Sequence, residues 1–359
     1  MSEIKLSHKQ ILKTDKDHKR AAAAANLIYV NNNDMGGISR VKKGKGYCYY
    51  YKNEIVSDEE TLKRIKKLAI PPSWSNVWIC ASVNGHIQAT GLDLNKRKQY
   101  RYHPDWNLLR SETKFHRLYE FGKTLPLLRK KISSDINSPE LSADKVLATA
   151  IRIMEETYIR VGNNDYEKLY GSYGLTTLKD QHVNIKKDEI SFSFTGKKGI
   201  DHSIKLKNKK LASIVKQCRD IPGRQLFQYY DEQGNRKHID SGMLNAYIKN
   251  ATGSDFSAKD FRTWAGSLQA IECFRSIGNW ATDAEKKKNI IAVLDTVSAK
   301  LGNSPAICKK YYVHPGLIRL YEERKLHSFL SKPNPENHSS SQGLSSAEKT
   351  LLQILRRCF

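Results

Sequence analysis

The sequence predicts an α+β protein, with a small amino-terminal antiparallel β-sheet domain and a larger, mainly α-helical domain. Three observations predict it. Apolar and aromatic runs of strand length crowd the first hundred residues, two of them flanking Asn84-Gly85. Beyond Pro104-Asp105 the apolar residues recur mostly at helical spacing. A chain of 359 residues makes about two domains of ordinary size. The expected divisions are 1–105, 106–330 and a tail, 331–359.

The alanine run Ala21–Ala25 favours a short helix, since alanine is the best helix former. A basic stretch punctuated by Gly36, Gly37, Gly44 and Gly46 follows, and then Tyr47–Tyr51 reads as a strand. Ser57-Asp58-Glu59-Glu60 opens an amphipathic helix with Leu62, Ile65 and Leu68 on its apolar face, stopped by Pro71-Pro72. Val77–Val83 and His86–Thr90 form a hairpin, with Asn84-Gly85 supplying the positive φ angles of a type I′ turn. Helices are expected over about 111–132, 142–161, 208–218, 241–252, 258–273, 283–301 and 316–330. One strand pair interrupts them: Ile190–Phe194 alternates with period two, 195–199 turns, and Ile204–Leu206 returns. Residues 331–346, rich in Ser, Pro and Asn, read as a flexible linker before a short amphipathic helix over about 346–357.

The charge balance narrows the function. Lys and Arg number 61 against 37 Asp and Glu, a formal net charge of +24, which suits a polyanionic partner: nucleic acid or an anionic membrane surface. No apolar stretch approaches 18 residues, so no transmembrane helix is expected, and the polar start gives no signal peptide. The six cysteines are dispersed, the nearest two, Cys48 and Cys80, lying about 30 positions apart. That spacing favours free thiols in a reducing compartment over a zinc site or disulfide framework. GxxxxGK[ST], GxGxxG and HExxH are all missing, so neither a nucleotide cofactor nor a metal is expected.

Taken singly, the candidate residues have ordinary explanations. Arg160, ending the helix that Ser142 caps, complements that helix's dipole. Lys197 at a hairpin tip reads as solvated surface, and Tyr312, in the run Cys308–Pro315, reads as packing. Arg262, near a helix start, opposes the dipole unless an anion is nearby. Together they suit phosphodiester chemistry. Charge grows on a phosphate in its pentacovalent transition state, and guanidinium groups match its oxygens bidentately. A lysine can protonate the leaving alkoxide, and a tyrosine hydroxyl can attack.

Several motifs resemble type IB DNA topoisomerases of the small bacterial and poxvirus-like branch, over about Leu27 to Tyr321. In the helical part they are Tyr158-Ile159-Arg160-Val161-Gly162-Asn163, Phe194-Thr195-Gly196-Lys197-Lys198, Lys259-Asp260-Phe261-Arg262-Thr263-Trp264, and the run from Leu301-Gly302-Asn303-Ser304-Pro305 to Tyr311-Tyr312-Val313-His314-Pro315. In the amino-terminal part Pro71–Ile79 and Gly91–Pro104 also match. Each is short; their order across both halves makes the resemblance specific. It implies a catalytic domain of the tyrosine recombinase/topoisomerase IB type and an amino-terminal domain that clamps DNA. It implies that Arg160 and Arg262 bind the non-bridging oxygens of the scissile phosphate, that Lys197 protonates the leaving 5′-oxygen, and that Tyr312 forms a 3′-phosphotyrosyl link. Asn303 takes the place of the poxvirus histidine, another donor to the phosphate. Gln99, Tyr100, Tyr102 and Tyr166 match DNA contacts, and Lys259 a minor-groove contact. Two positions depart from the poxvirus pattern. Lys198 replaces an acidic residue, and Asn163 stands where those members carry a base-contacting lysine, so the cleavage-site preference tied to that lysine is not carried over.

The reaction so implied is strand nicking, swivelling and religation by a monomer on double-stranded DNA, in the cytoplasm or nucleoid, with no ATP, metal or other cofactor. A tyrosine site-specific recombinase would share the chemistry, but recombinases usually carry His-x-x-Arg where this chain has Lys259-x-x-Arg262. A non-enzymatic nucleoid protein would account for the charge and not for the ordered motifs.

Overall fold

Ile38, Val77, Ile79 and Ala89 pack beneath Ile65 to make the core of a six-stranded antiparallel sheet in the computed structural model, which describes residues 17–31, 36–44, 46–94, 96–330 and 343–358. The strands are β1 (Gly37–Lys43), β2 (Gly46–Tyr51), β3 (Glu54–Ile55), β4 (Ser75–Cys80), β5 (Ile87–Leu92) and β6 (Lys98–Tyr102), in the order β3-β2-β1-β4-β5-β6. Before them lies α1 (His18–Ala24), whose Ala21 and Ala22 pack with Trp106 and Leu109. Ile65 belongs to α2 (Glu59–Lys67), started by the Asp58 carboxylate accepting from the Thr61 N–H at 2.8 Å. The basic stretch, given no secondary structure from the sequence, is strand β1: Ile38 is buried, and β2 and β4 pair on either side.

The hairpin around Asn84-Gly85 exists, but its turn is not type I′. Trp78 pairs with Thr90 and Ile79 with Ala89, so residues 81–86 form a wider loop, and neither Asn84 nor Gly85 takes a positive φ. Tertiary contacts override the local preference. Buried Gln88 donates through Nε2 to the carbonyls of Val83 (2.9 Å) and Gly85 (2.8 Å). Ile28 donates its N–H to the Asn84 carbonyl at 2.8 Å. Gly85 is needed for space, because a Cβ there would lie 2.5 Å from the Cys80 Sγ.

The chain divides into two compact units, Met1–Arg117 and Leu118–Phe359. The division falls inside α3 (Pro104–Ile136), where a helix was expected only over about 111–132. Pro104, read as a boundary, is this helix's first residue, where its missing N–H costs nothing. The second unit is mainly helical: α4 (Ala143–Thr157), α5 (Asn164–Tyr170), α6 (Lys209–Asp220), α7 (Ser241–Thr252), α8 (Ala258–Ile277), α9 (Asp283–Leu301), α10 (Pro305–Tyr311), α11 (Pro315–Glu322), α12 (His327–Leu330) and α13 (Ser346–Cys358). A three-stranded sheet, β7 (Val183–Lys186), β8 (Glu189–Thr195) and β9 (Asp201–Lys207), and a small hairpin, β10 (Gln228–Tyr230) with β11 (Arg236–His238), complete it. Helix α8 runs through the middle, with Phe261 and Trp264 edge-on to Phe121 at 5.1 and 6.2 Å between ring centres.

Three sequence expectations need correction here. The helix expected to 161 stops at Thr157, because Tyr158 turns left-handed at φ 59°. The helix expected over 316–330 breaks at Glu323–Leu326, where Arg324 takes φ 58°. Helices α5 and α10 were not expected, although Asn163 and Ser304 cap them as such residues usually do. The linker falls largely on 331–342, outside the described residues.

Helix α13 is part of the core. Leu351, Ile354 and Leu355 are buried, and the Glu348 carboxylate accepts from Arg129 Nη2 at 2.7 Å and from the Trp264 indole at 3.1 Å. Arg129 also donates to Glu155 at 2.7 Å. Burial pushes the Glu348 carboxyl up, but Arg129 outweighs it and holds the pKa below the usual carboxylate value. A depressed folded-state pKa contributes stability that is present above the unfolded pKa and lost as pH falls through the folded one. Breaking one partner from a buried pair costs about 3–5 kcal/mol. Glu348→Ala should therefore speed amide exchange across 346–358 at pH 7. The wild type should lose that protection only on acidification below about pH 4, the range of an unperturbed carboxyl. Equal exchange in the two proteins at pH 7 would refute the anchor.

Candidate active site

Arg160 owes its position to backbone, not to a helix end. After Tyr158 the chain runs extended, and the carbonyls of Arg160 and Val161 accept from the N–H groups of Leu175 and Thr176, each at 2.7 Å. The dipole explanation therefore does not apply, since Arg160 lies three residues beyond α4. Its Nη2 donates to the Gly302 carbonyl at 3.1 Å and to Asn303 Oδ1 at 2.5 Å. Asn303 spends its amide nitrogen on the Leu301 carbonyl at 3.1 Å, so in the free protein its oxygen, not its NH₂, faces the arginine.

Arg262 is 6% exposed, in the second turn of α8. It donates to the carbonyls of Tyr158 and Leu301, each at 2.5 Å. The left-handed Tyr158 and the C-terminus of α9 thus hold one guanidinium. Burial first, and then Arg160, lower its pKa. Its Nε–H is buried with no hydrogen-bond partner among the described residues.

Tyr312 caps the C-terminus of α10, and its ring centre lies 5.2 Å from the Arg262 guanidinium carbon. Burial pushes its phenol up, but Arg262 and Arg160 outweigh burial and leave the pKa below the ordinary tyrosine value. Tyr311, its neighbour, is 42% exposed with Lys310 over its ring. Two residues that the sequence did not single out seat Tyr312. Ser267 Oγ donates to the Tyr312 carbonyl at 3.2 Å. Gly266 lets that backbone press on α8: a Cβ there would lie 2.6 Å from the Tyr312 oxygen and 2.8 Å from its Cβ. Gly266→Ala should displace the phenol by some tenths of an ångström or more and, if Tyr312 acts as the resemblance implies, slow strand cleavage by about 10-fold to 10²-fold, the scale of such misplacements. Single-turnover cleavage with DNA affinity measured in parallel checks this; an unchanged rate would show that the contact does not set the position of Tyr312.

The structure thus gathers Arg160, Arg262, Asn303 and Tyr312 into one half-buried cluster. Lys197 stands apart on the exposed β8–β9 tip, where Lys198 (φ 67°) and Gly199 (φ 72°) are left-handed and the ammonium lies 5.8 Å from the Tyr166 ring centre. Tyr166 itself is 41% exposed on α5, and Lys259 is exposed in the first turn of α8. In the first unit Tyr100 and Tyr102 are exposed side by side on β6, stacked at 5.7 Å. Gln99 instead donates its amide to Asp93 at 2.9 Å.

Comparison with known proteins gives the same direction in both units. A family described as the catalytic core of eukaryotic DNA topoisomerase I matches residues 98–328, and one described as the N-terminal domain of bacterial DNA topoisomerase IB matches 46–93. The chain is 35% identical over 305 residues to DNA topoisomerase 1B of Acanthamoeba polyphaga mimivirus, covering 82% of this chain and 90% of that protein. It is 24% identical over 251 residues to DNA topoisomerase 1B of Vaccinia virus (strain Copenhagen), covering 67% of this chain and 74% of that protein.

Proposed function

Because the chain belongs to the type IB DNA topoisomerase family, we propose that Tyr312 is its nucleophile and that Arg160, Arg262, Asn303 and Lys197 complete its active site. The activity is relaxation of supercoiled DNA by transient cleavage of one strand. The observation that supports these roles most directly is the Tyr312 phenol beside two guanidinium groups that lower its pKa. The phenol gives its proton to solvent and its oxygen attacks phosphorus, one P–O ester bond forms and another breaks, and the 5′-oxygen leaves with a proton from Lys197, which solvent restores. A diester is exchanged for a diester, so the bond energy stays in the link and religation is the same step reversed. Arg160 and Arg262 neutralise the charge that grows on the non-bridging oxygens.

Asn303 orients Arg160 in the free protein, and rotation of its amide offers the NH₂ to a bound phosphate. Lys197 is delivered from the hairpin tip to protonate the leaving oxygen. Gln99, Tyr100, Tyr102, Tyr166 and Lys259 contact the duplex. One nucleophile cutting one strand suffices, so the enzyme acts as a monomer, without nucleotide, wherever the cell keeps its DNA. Among the described residues no helix is long and apolar enough to cross a membrane. The purified protein should relax both positive and negative supercoils in EDTA without ATP. A strict requirement for Mg²⁺ or ATP would overturn this reading.

A further inference from the structure

We propose that His202 is a positioning residue that sets the Lys197 hairpin tip in register with the Gly302–Asn303 loop. The inference rests on the assignment of Lys197 as general acid. His202 on β9 pairs across the sheet with Phe194 on β8, and the two rings stack with centres 5.0 Å apart and planes 22° from parallel.

The edges of the imidazole meet two glycines from different parts of the chain. A Cβ on Gly196 would lie 2.7 Å from both Cδ2 and Nε2, and a Cβ on Gly302 would lie 2.6 Å from Cε1. Gly302 also has φ 57°, so backbone and space both demand glycine. Gly196 does not: at φ −95° and ψ −162° any residue fits, so the histidine ring accounts for its missing side chain. Each glycine immediately precedes a site residue. Gly196 leads into Lys197, and Gly302 leads into Asn303 while its own carbonyl accepts from Arg160. One ring is therefore wedged between the tip that carries the acid and the loop that holds the phosphate-binding arginine.

The ring works by shape. Burial, and then the charges of Arg160 and Arg262, push its pKa below the usual histidine value, against a weaker opposite pull from Asp201. It is thus neutral at neutral pH and adds no third cation to the cluster. With the ring gone, the contact that joins the two glycines is lost, and proton delivery should suffer more than phosphate binding.

The test is single-turnover cleavage of ordinary DNA and of DNA with a 5′-bridging sulfur, whose thiolate leaves without needing a proton. His202→Ala should slow cleavage of the ordinary substrate by about 10-fold to 10²-fold, as a misplaced catalytic group does, and recover most of the wild-type rate on the sulfur substrate. His202→Phe, which keeps the stack and the wedge, should stay close to wild type on both and controls for folding. Lys197→Ala is the reference. If it is rescued by sulfur and His202→Ala is not, His202 serves the phosphate or the fold and the inference is overturned alone. An unimpaired His202→Ala overturns it as well. If Lys197→Ala is not rescued, the general-acid assignment fails and takes this inference with it.

Discussion

Tyr312→Phe should form no covalent adduct with DNA and should bind it as tightly as wild type does. The change removes one oxygen. The ring that packs against Arg262 and the backbone that rests on Gly266 and Ser267 are untouched, so neither fold nor affinity has reason to move. The lost atom is the one whose proton the two guanidinium groups make easier to remove. Tyr311→Phe is the internal control, because Tyr311 lies exposed on α10 with a lysine over it. Detergent-trapped complexes on end-labelled DNA read both variants. A dead Tyr311→Phe beside an active Tyr312→Phe would move the nucleophile by one residue.

Lys197→Ala should slow cleavage by about 10²–10⁴-fold, the range for losing a general acid. The size of the effect separates two roles. A lysine that only attracted the DNA backbone would contribute to affinity and to salt dependence, as any surface cation does. A proton donor contributes to the chemical step, and its loss is made good by a leaving group that needs no proton. Cleavage of the 5′-bridging sulfur substrate near the wild-type rate is the expected result. A comparable loss on both substrates would assign Lys197 to phosphate binding.

Much of this was legible in the sequence because short polar motifs occur in a specific order along it. Arg160, Arg262 and Tyr312 each have an ordinary explanation alone; the order of their motifs along the chain makes them specific, and the structure draws them together with Asn303. What remained hidden acts through space. Gly266 matters for what it lacks, inside a helix where a small residue has many explanations. His202 sits in an alternating strand like any edge residue, and its partner Gly302 lies a hundred positions away. The end of α4 was misplaced because nothing in its composition announces a tyrosine at φ 59°. The Asn84-Gly85 turn was misread for the converse reason: a strong local signal yielded to Gln88 and Ile28.

The Glu348 anchor also has a consequence for the order in which the protein is made. Tyr312 leaves the ribosome 36 residues ahead of Glu348 (348 − 312). At about 5–20 residues per second that is a delay of roughly 2–7 s, during which Tyr312 exists and the Glu348 contact to α8 does not. Trp264 stays without its carboxylate partner, and Arg129 without Glu348, until α13 docks. A nascent chain that already carries Tyr312 thus still lacks the carboxylate that braces α8, the helix carrying Arg262.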